Sequence, residues 1–252
     1  MGSPVVHFEI TGPDGPALSE FYAELFGWRT QHHPEMSYTI VDTQAGSGIN
    51  GGIGTTAEGE HRTLFYVAVP DPQAALDQAE ARGGKTVLPV SEIPGVVTLA
   101  QFLDPQGNVV GILKDAVPDG QEGGGGPSAG DGAPVSWFEV LGPDHKALVS
   151  FYAEVFGWQR DPEGGDAAYT EIDPGTGSSG STGIEGAVGA SHDGAPKVHL
   201  YASVDDLQAY CDKATSLGGG VVVPPTKVYD RIEFAHISDP QGNAFGIWHS
   251  LR

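Results

Sequence analysis

Apolar residues recur along the chain with two periods, and the switch between them marks out its elements. Residues 5–10 alternate with a period of two. Val6, Phe8 and Ile10 share one face of an extended segment, and Val5, His7 and Glu9 share the other. After the turn residues Gly12-Pro13-Asp14-Gly15 the spacing becomes helical. Leu18, Phe21, Tyr22, Leu25 and Phe26 form an apolar stripe, Asp14 can cap its start, and Gly27 suits a left-handed stop. Strand patterns follow at residues 38–42, 48–53 and 64–69. Asp71-Pro72 then opens a second helix that Gly83-Gly84 closes, and further strands are predicted from Thr86-Val87, over 96–103 and over 109–113.

The second half repeats this plan. In residues 135–140, Phe138 and Val140 lie opposite Trp137 and Glu139. Asp144 precedes a helix with Leu148, Phe151, Tyr152, Val155 and Phe156 on one side. Strands are predicted at 169–172 and 183–188 around a Gly/Ser hairpin, then at 198–204, 232–237 and 244–248. A helix spans 205–217 and stops at Gly218-Gly219-Gly220. On the 198–204 strand Val198, Leu200, Ala202 and Val204 should pack under a helix, with His199, Tyr201 and Ser203 turned the other way.

The repetition extends to the residues themselves. FYAELFGW at Phe21–Trp28 returns 130 residues later as FYAEVFGW, with seven of eight positions identical. Each half also closes on DPQGN, at Asp104–Asn108 and Asp239–Asn243. Two tags in the same order mean an internal duplication. The domains expected are 1–118 and 134–252, joined by a Gly-rich linker over 119–133 that should be flexible. Trp28 and Trp158, just beyond the helices, are expected to pack against a sheet.

Composition narrows the chemistry. The formal charge of −21 repels nucleic acid and anionic membrane surfaces. No apolar run is long enough to span a membrane, and one cysteine, Cys211, cannot form an internal disulfide. These features point to a cytoplasmic location. Cys211 lies in a predicted helix with no His nearby in sequence and reads as a packing residue, with a nucleophile as the alternative. No phosphate-binding glycine loop, GxSxG elbow, Cys–His pair, HExxH helix or calcium loop is present. His236 and His249 lie near the final strands without a matching partner in the first half. His32, His33, His61, His145 and His192 fall in predicted loops, turns or helix starts and are expected to be solvated.

The opening strands VVHFEI and VSWFEV, the FYAELFGW helices and the closing DPQGNVVGI and DPQGNAFGI together resemble the vicinal oxygen chelate superfamily, which includes glyoxalases, bleomycin-resistance proteins and extradiol dioxygenases. The resemblance spans nearly the whole chain apart from the linker. It implies an α+β fold of tandem duplicated glyoxalase-like domains, each of two βαβββ modules forming curved mixed sheets around a cavity. Metal-using members take ligands from four strand positions. By resemblance these are His7, Asn50, Leu64 and Gly111 in the first half, and Trp137, Glu185, His199 and Gly246 in the second. Glycine offers no side-chain donor, so neither half keeps the usual three or four ligands. A cavity built from one module of each half would instead place His7 and Asn50 opposite His199 and Gly246.

The expectation is a small-molecule cavity without a cofactor, its ligand cationic or aromatic. Leu64, Trp137, Glu185, Tyr201 and Trp248 would line it. The alternative is a lyase, isomerase or oxygenase of specialised metabolism. It would use a divalent Fe, Mn, Ni or Zn ion on His7 and His199, or Glu9 or Glu139 as a general base. No nucleic-acid or membrane partner is expected. A monomer is expected, because duplicated halves can cover each other's sheet edges.

Overall fold

The computed structural model describes residues 2–56, 60–115, 126–161, 168–175 and 183–251. Residues 119–125 of the expected linker and 176–182 of the Gly/Ser hairpin lie outside them. The first half contains β1 (Val5–Gly12), α1 (Gly15–Phe26), β2 (Arg29–His33), β3 (Tyr38–Asp42), β4 (Asn50–Thr55), β5 (Arg62–Val69), α2 (Pro72–Ala81), β6 (Lys85–Ile93), β7 (Val97–Leu103) and β8 (Val109–Lys114). The second repeats the series as β9 (Val135–Gly142), α3 (His145–Phe156), β10 (Gln159–Arg160), β11 (Tyr169–Asp173), β12 (Glu185–Ala190), β13 (Lys197–Ser203), α4 (Leu207–Ser216), β14 (Gly220–Val228), β15 (Ile232–Ser238) and β16 (Ala244–Ser250).

Each half supplies one mixed eight-stranded sheet. The orders are β2-β3-β4-β1-β5-β8-β7-β6 and β10-β11-β12-β9-β13-β16-β15-β14. This is the duplicated α+β arrangement that the family resemblance implied. Strands β1 and β4 run parallel with His7 opposite Asn50, and β5 and β8 run parallel with Tyr66 opposite Gly111.

The helices start and stop where their sequences dictate. The Asp14 carboxylate accepts from the Ala17 amide at 3.0 Å, and Asp144 accepts from Ala147 at 3.0 Å. Gly27 and Gly157 end α1 and α3 at φ 73° and 70°, a left-handed conformation that a β-carbon would strain.

Three strands have no counterpart in the sequence reading. β2 carries the polar run RTQHH and β10 has two residues, so neither shows apolar alternation. β14 contains Pro224 and Pro225 and two register irregularities against β15. It ends its sheet, and an edge strand tolerates proline because its outer amides need no ladder partner.

The chain forms two compact units, and each draws on both halves. One gathers the described residues of Met1–Val6, Leu64–Gly125 and Phe138–Val198. Its core stacks Tyr152 on Trp158 at 5.1 Å, with Phe65, Phe138 and Phe156 around the indole. The other gathers His7–Thr63, Gly126–Trp137 and His199–Arg252. Here Tyr22 stacks on Trp28 at 5.8 Å, with Phe8, Phe26 and Phe245 closing the cluster. The tryptophans pack as expected and are anchored. Trp28 Nε1 donates to the Ala133 carbonyl and Trp158 Nε1 to that of Ser3, each at 2.8 Å.

Candidate functional site

The face of β13, β15 and β16 that turns away from this aromatic core carries imidazole, phenol and indole side chains together. Alternation on β13 buries Leu200 and Ala202 and presents His199, Tyr201 and Ser203 on the opposite face. Pairing sets two rows across the sheet. Tyr201, Gly246 and His236 form one, and Ser203, Trp248 and Phe234 the other. A β-carbon on Gly246 would fall within the Tyr201 ring, so the glycine is what lets the phenol lie flat across the strand. The hydroxyl then meets His236 Nε2 at 2.8 Å. The His199 and His236 rings stand edge to face with centroids 4.6 Å apart, and Phe234 lies 5.5 Å beyond. Trp248 Nε1 donates to Ser136 Oγ at 3.1 Å. His199, Phe234, His236 and Trp248 are half-buried, as the wall of a binding surface is.

The same rows in β5, β7 and β8 keep the scaffold and change the chemistry. Tyr66 lies over Gly111, and a β-carbon there would again enter the ring. Its hydroxyl accepts from Gln101 Nε2 at 2.7 Å, in place of the imidazole. Leu64 stands two residues before Tyr66 as His199 does before Tyr201, Leu99 takes the place of Phe234, and Leu113 that of Trp248.

The opening strands add polar pairs. His7 Nε2 lies 3.1 Å from the Tyr38 hydroxyl. The ring is half-buried, and desolvation lowers its pKa from 6.5 to about 4, so the imidazole is neutral at pH 7. Asn50 Oδ1 accepts from the Thr43 amide at 2.9 Å and so fastens the turn before β4. In the second half Tyr169 donates its hydroxyl to Glu139 Oε1 at 2.7 Å. Glu139 and its counterpart Glu9 are half-buried, as is Trp137, while Leu64 is buried and Glu185 exposed.

The model of the Glyoxalase/Bleomycin resistance protein/Dioxygenase superfamily matches residues 5–112 and again 135–247. The chain belongs to this superfamily. Among relatives of the glyoxalase superfamily, a protein described as "Putative glyoxylase CFP32" from Mycobacterium tuberculosis is 26% identical over 251 residues, covering 95% of this chain and 92% of that one. The anthracycline biosynthesis protein DnrV of Streptomyces peucetius is 24% identical over 267 residues, covering 95% and 90%. Solved structures share the fold. A Mn(II)-bound glyoxalase from Novosphingobium aromaticivorans aligns with TM-score 0.69 at 17% identity, over 99% of this chain and 84% of that one. The 2,3-dioxygenase LapB from Pseudomonas sp. KL28 aligns with TM-score 0.66 at 15% identity, over 99% and 94%.

The residues present do not fit the divalent metal that some superfamily structures hold. At both closing-strand positions, Gly111 and Gly246, a tyrosine ring fills the space a carboxylate side chain would need. Among the described residues no group of three or more His, Cys, Asp or Glu side chains is placed to hold a metal ion. His7 and His199 belong to one compact unit, and each alternates with buried residues of its strand, so both lie on strand faces opposite that core.

Tyr201, Trp248 and His199, all candidates from the sequence, lie on one face, where they are joined by His236 and Phe234, which are not among those candidates. The signal was the alternation of residues 232–237, where Ala235 and Ile237 are buried and Phe234 and His236 face the other way. The sequence predicts a solvated His145. This residue is instead buried at the start of α3, with Nε2 2.7 Å from Thr170 Oγ1, because β11 brings a threonine to it.

Proposed function

We propose that this chain captures a small metabolite or antibiotic on the polar, aromatic face of its curved sheets, without a catalytic divalent metal. The observation that carries this reading is the replacement at Gly111 and Gly246. Where a carboxylate would complete a metal site, the chain places the ring of Tyr66 or Tyr201. Both rings are buried, and each hydroxyl holds a half-buried polar partner, Gln101 or His236, on a face that suits ligand binding. The named role of DnrV in anthracycline biosynthesis favours a planar aromatic ligand, and the charge of −21 favours one with a cationic group. The reading includes a monomer in the cytoplasm.

The test is metal content together with ligand binding. Protein purified without a metal-binding tag should contain far less than one equivalent of Fe, Mn, Ni or Zn. It should bind an anthracycline such as daunorubicin equally well with and without a chelator. Stoichiometric metal whose removal abolishes binding would sink the reading.

A second reading is supported by the Tyr169–Glu139 pair. A half-buried carboxylate beside a phenol can move a proton without metal, so the chain would be a lyase or isomerase with Glu139, or Glu9 in the first half, as base. Turnover of the bound compound, lost in Glu139→Gln, distinguishes it from simple capture.

A further inference from the structure

The duplicated strand rows allow a comparison position by position. In β5, β7 and β8 the row residues are Leu64, Tyr66, Gln101, Leu99 and Leu113; in β13, β15 and β16 they are His199, Tyr201, His236, Phe234 and Trp248. The tyrosine over glycine is common to both, so it belongs to the scaffold. Of the other positions, Leu64, Leu99, Gln101 and Leu113 become His199, Phe234, His236 and Trp248, and Ala68 becomes Ser203, so four of the five changes run from aliphatic or amide to imidazole or aromatic. Structural constraint does not require this, because the leucine set packs on the same backbone.

We infer that the two copies have divided their roles. The ligand is held by the β13–β16 face alone, and it is a planar aromatic compound bearing a hydrogen-bonding oxygen. This rests on the reading that the chain binds a small molecule. The indole of Trp248 and the ring of Phe234 offer flat apolar area to a planar ring system. The half-buried His236 and His199 imidazoles supply donors and acceptors beside that area, His236 being held by the hydroxyl of the buried Tyr201, and a hydroxyl or quinone oxygen on the ring matches either role. The β5–β8 face, with three leucines around Tyr66–Gln101, offers apolar area and one amide. An oxygenated aromatic loses most of these hydrogen bonds there.

The experiment uses alizarin, a hydroxylated anthraquinone, titrated into the intact chain by calorimetry with chelator present. One site per chain is expected. His236→Leu and Trp248→Leu should each weaken binding at least about tenfold, and Gln101→Leu should leave it within about twofold. His236→Asn serves as the milder variant if His236→Leu fails to fold. The indole N–H signals provide a readout independent of variants. That of Trp248 should move on binding, while those of Trp28 and Trp158, bonded within the cores, should not. Two equivalent sites, equal losses from Gln101→Leu and His236→Leu, an unmoved Trp248 signal, or no alizarin binding would each overturn the assignment. If daunorubicin still binds under chelator when alizarin does not, the ligand class or the face is wrong and the metal-independent reading stands. Binding that requires metal defeats the broader reading instead.

Discussion

Tyr22 donates its hydroxyl to Asp239 Oδ2 at 3.1 Å across 217 residues of sequence, and Tyr152 makes the same bond to Asp104 at 2.8 Å. The two repeated tags are therefore halves of one device. The tyrosine of each FYAE helix closes on the DPQGN turn of the other half. Asp239 also accepts from the amides of Gln241 and Asn243 and from Asn243 Nδ2, and it is 3% exposed. Burial, and after it the Asp239 carboxylate, push the Tyr22 pKa up, so the phenol stays a donor at pH 7. Tyr22→Phe and Tyr152→Phe should each cost about 1–3 kcal/mol by leaving a buried carboxylate one bond short. Urea unfolding of the single variants measures it, and a cost near zero would make the bond incidental.

The His7 imidazole makes stability depend on pH. Above an unfolded pKa of 6.5 the ring is neutral in both states and carries no penalty. As pH falls from 6.5 towards 4, the unfolded chain takes up a proton that the folded ring does not. Stability is lost across that window by up to about 3 kcal/mol, and below it this contribution is flat. Comparing urea midpoints at about pH 7.5 and about pH 4.5 should show a smaller drop for His7→Gln than for the parent chain.

Gly246 and Gly111 should refuse a side chain. Gly246→Ala puts a methyl into the Tyr201 ring, and Gly111→Ala does the same to Tyr66. Each substitution should destabilise by about 1–3 kcal/mol, the usual range for overpacking. Tyr201→Ala should relieve part of the Gly246→Ala cost, so the double variant departs from additivity. Strict additivity in thermal or urea unfolding would mean that the ring moves aside freely.

Cys211 should be inert. It is 1% exposed within α4, and burial, then Asp212, push the thiol pKa up. A chromogenic thiol reagent should find no reactive group in the native chain and one equivalent after unfolding. Rapid native labelling would remove the packing assignment.

The duplication, the helix stripes and the two faces of β1 and β13 were legible because each is a local pattern. Leu18, Phe21, Tyr22, Leu25 and Phe26 are all buried, as their spacing requires. What the sequence did not show was pairing between distant segments. Nothing local in Tyr22 names Asp239, and nothing near Ile232 reveals that His236 will meet Tyr201, because that depends on the register of β15 with β16. The polar β2 and the proline-containing β14 escaped for a different reason. Strands at the sheet ends are set by their neighbours' free amides more than by their own apolar rhythm.

The crossed tyrosine–aspartate clasps bear on how the chain is made. On the ribosome, Tyr22 and Phe26 of α1, and Trp28 just after it, emerge long before Phe245, which completes that cluster. A nascent chain of this kind cannot finish one half and then begin the next, as beads on a string do. Its slowest contacts are its longest ones, and the aromatic face of α1 waits for β16 before it is covered.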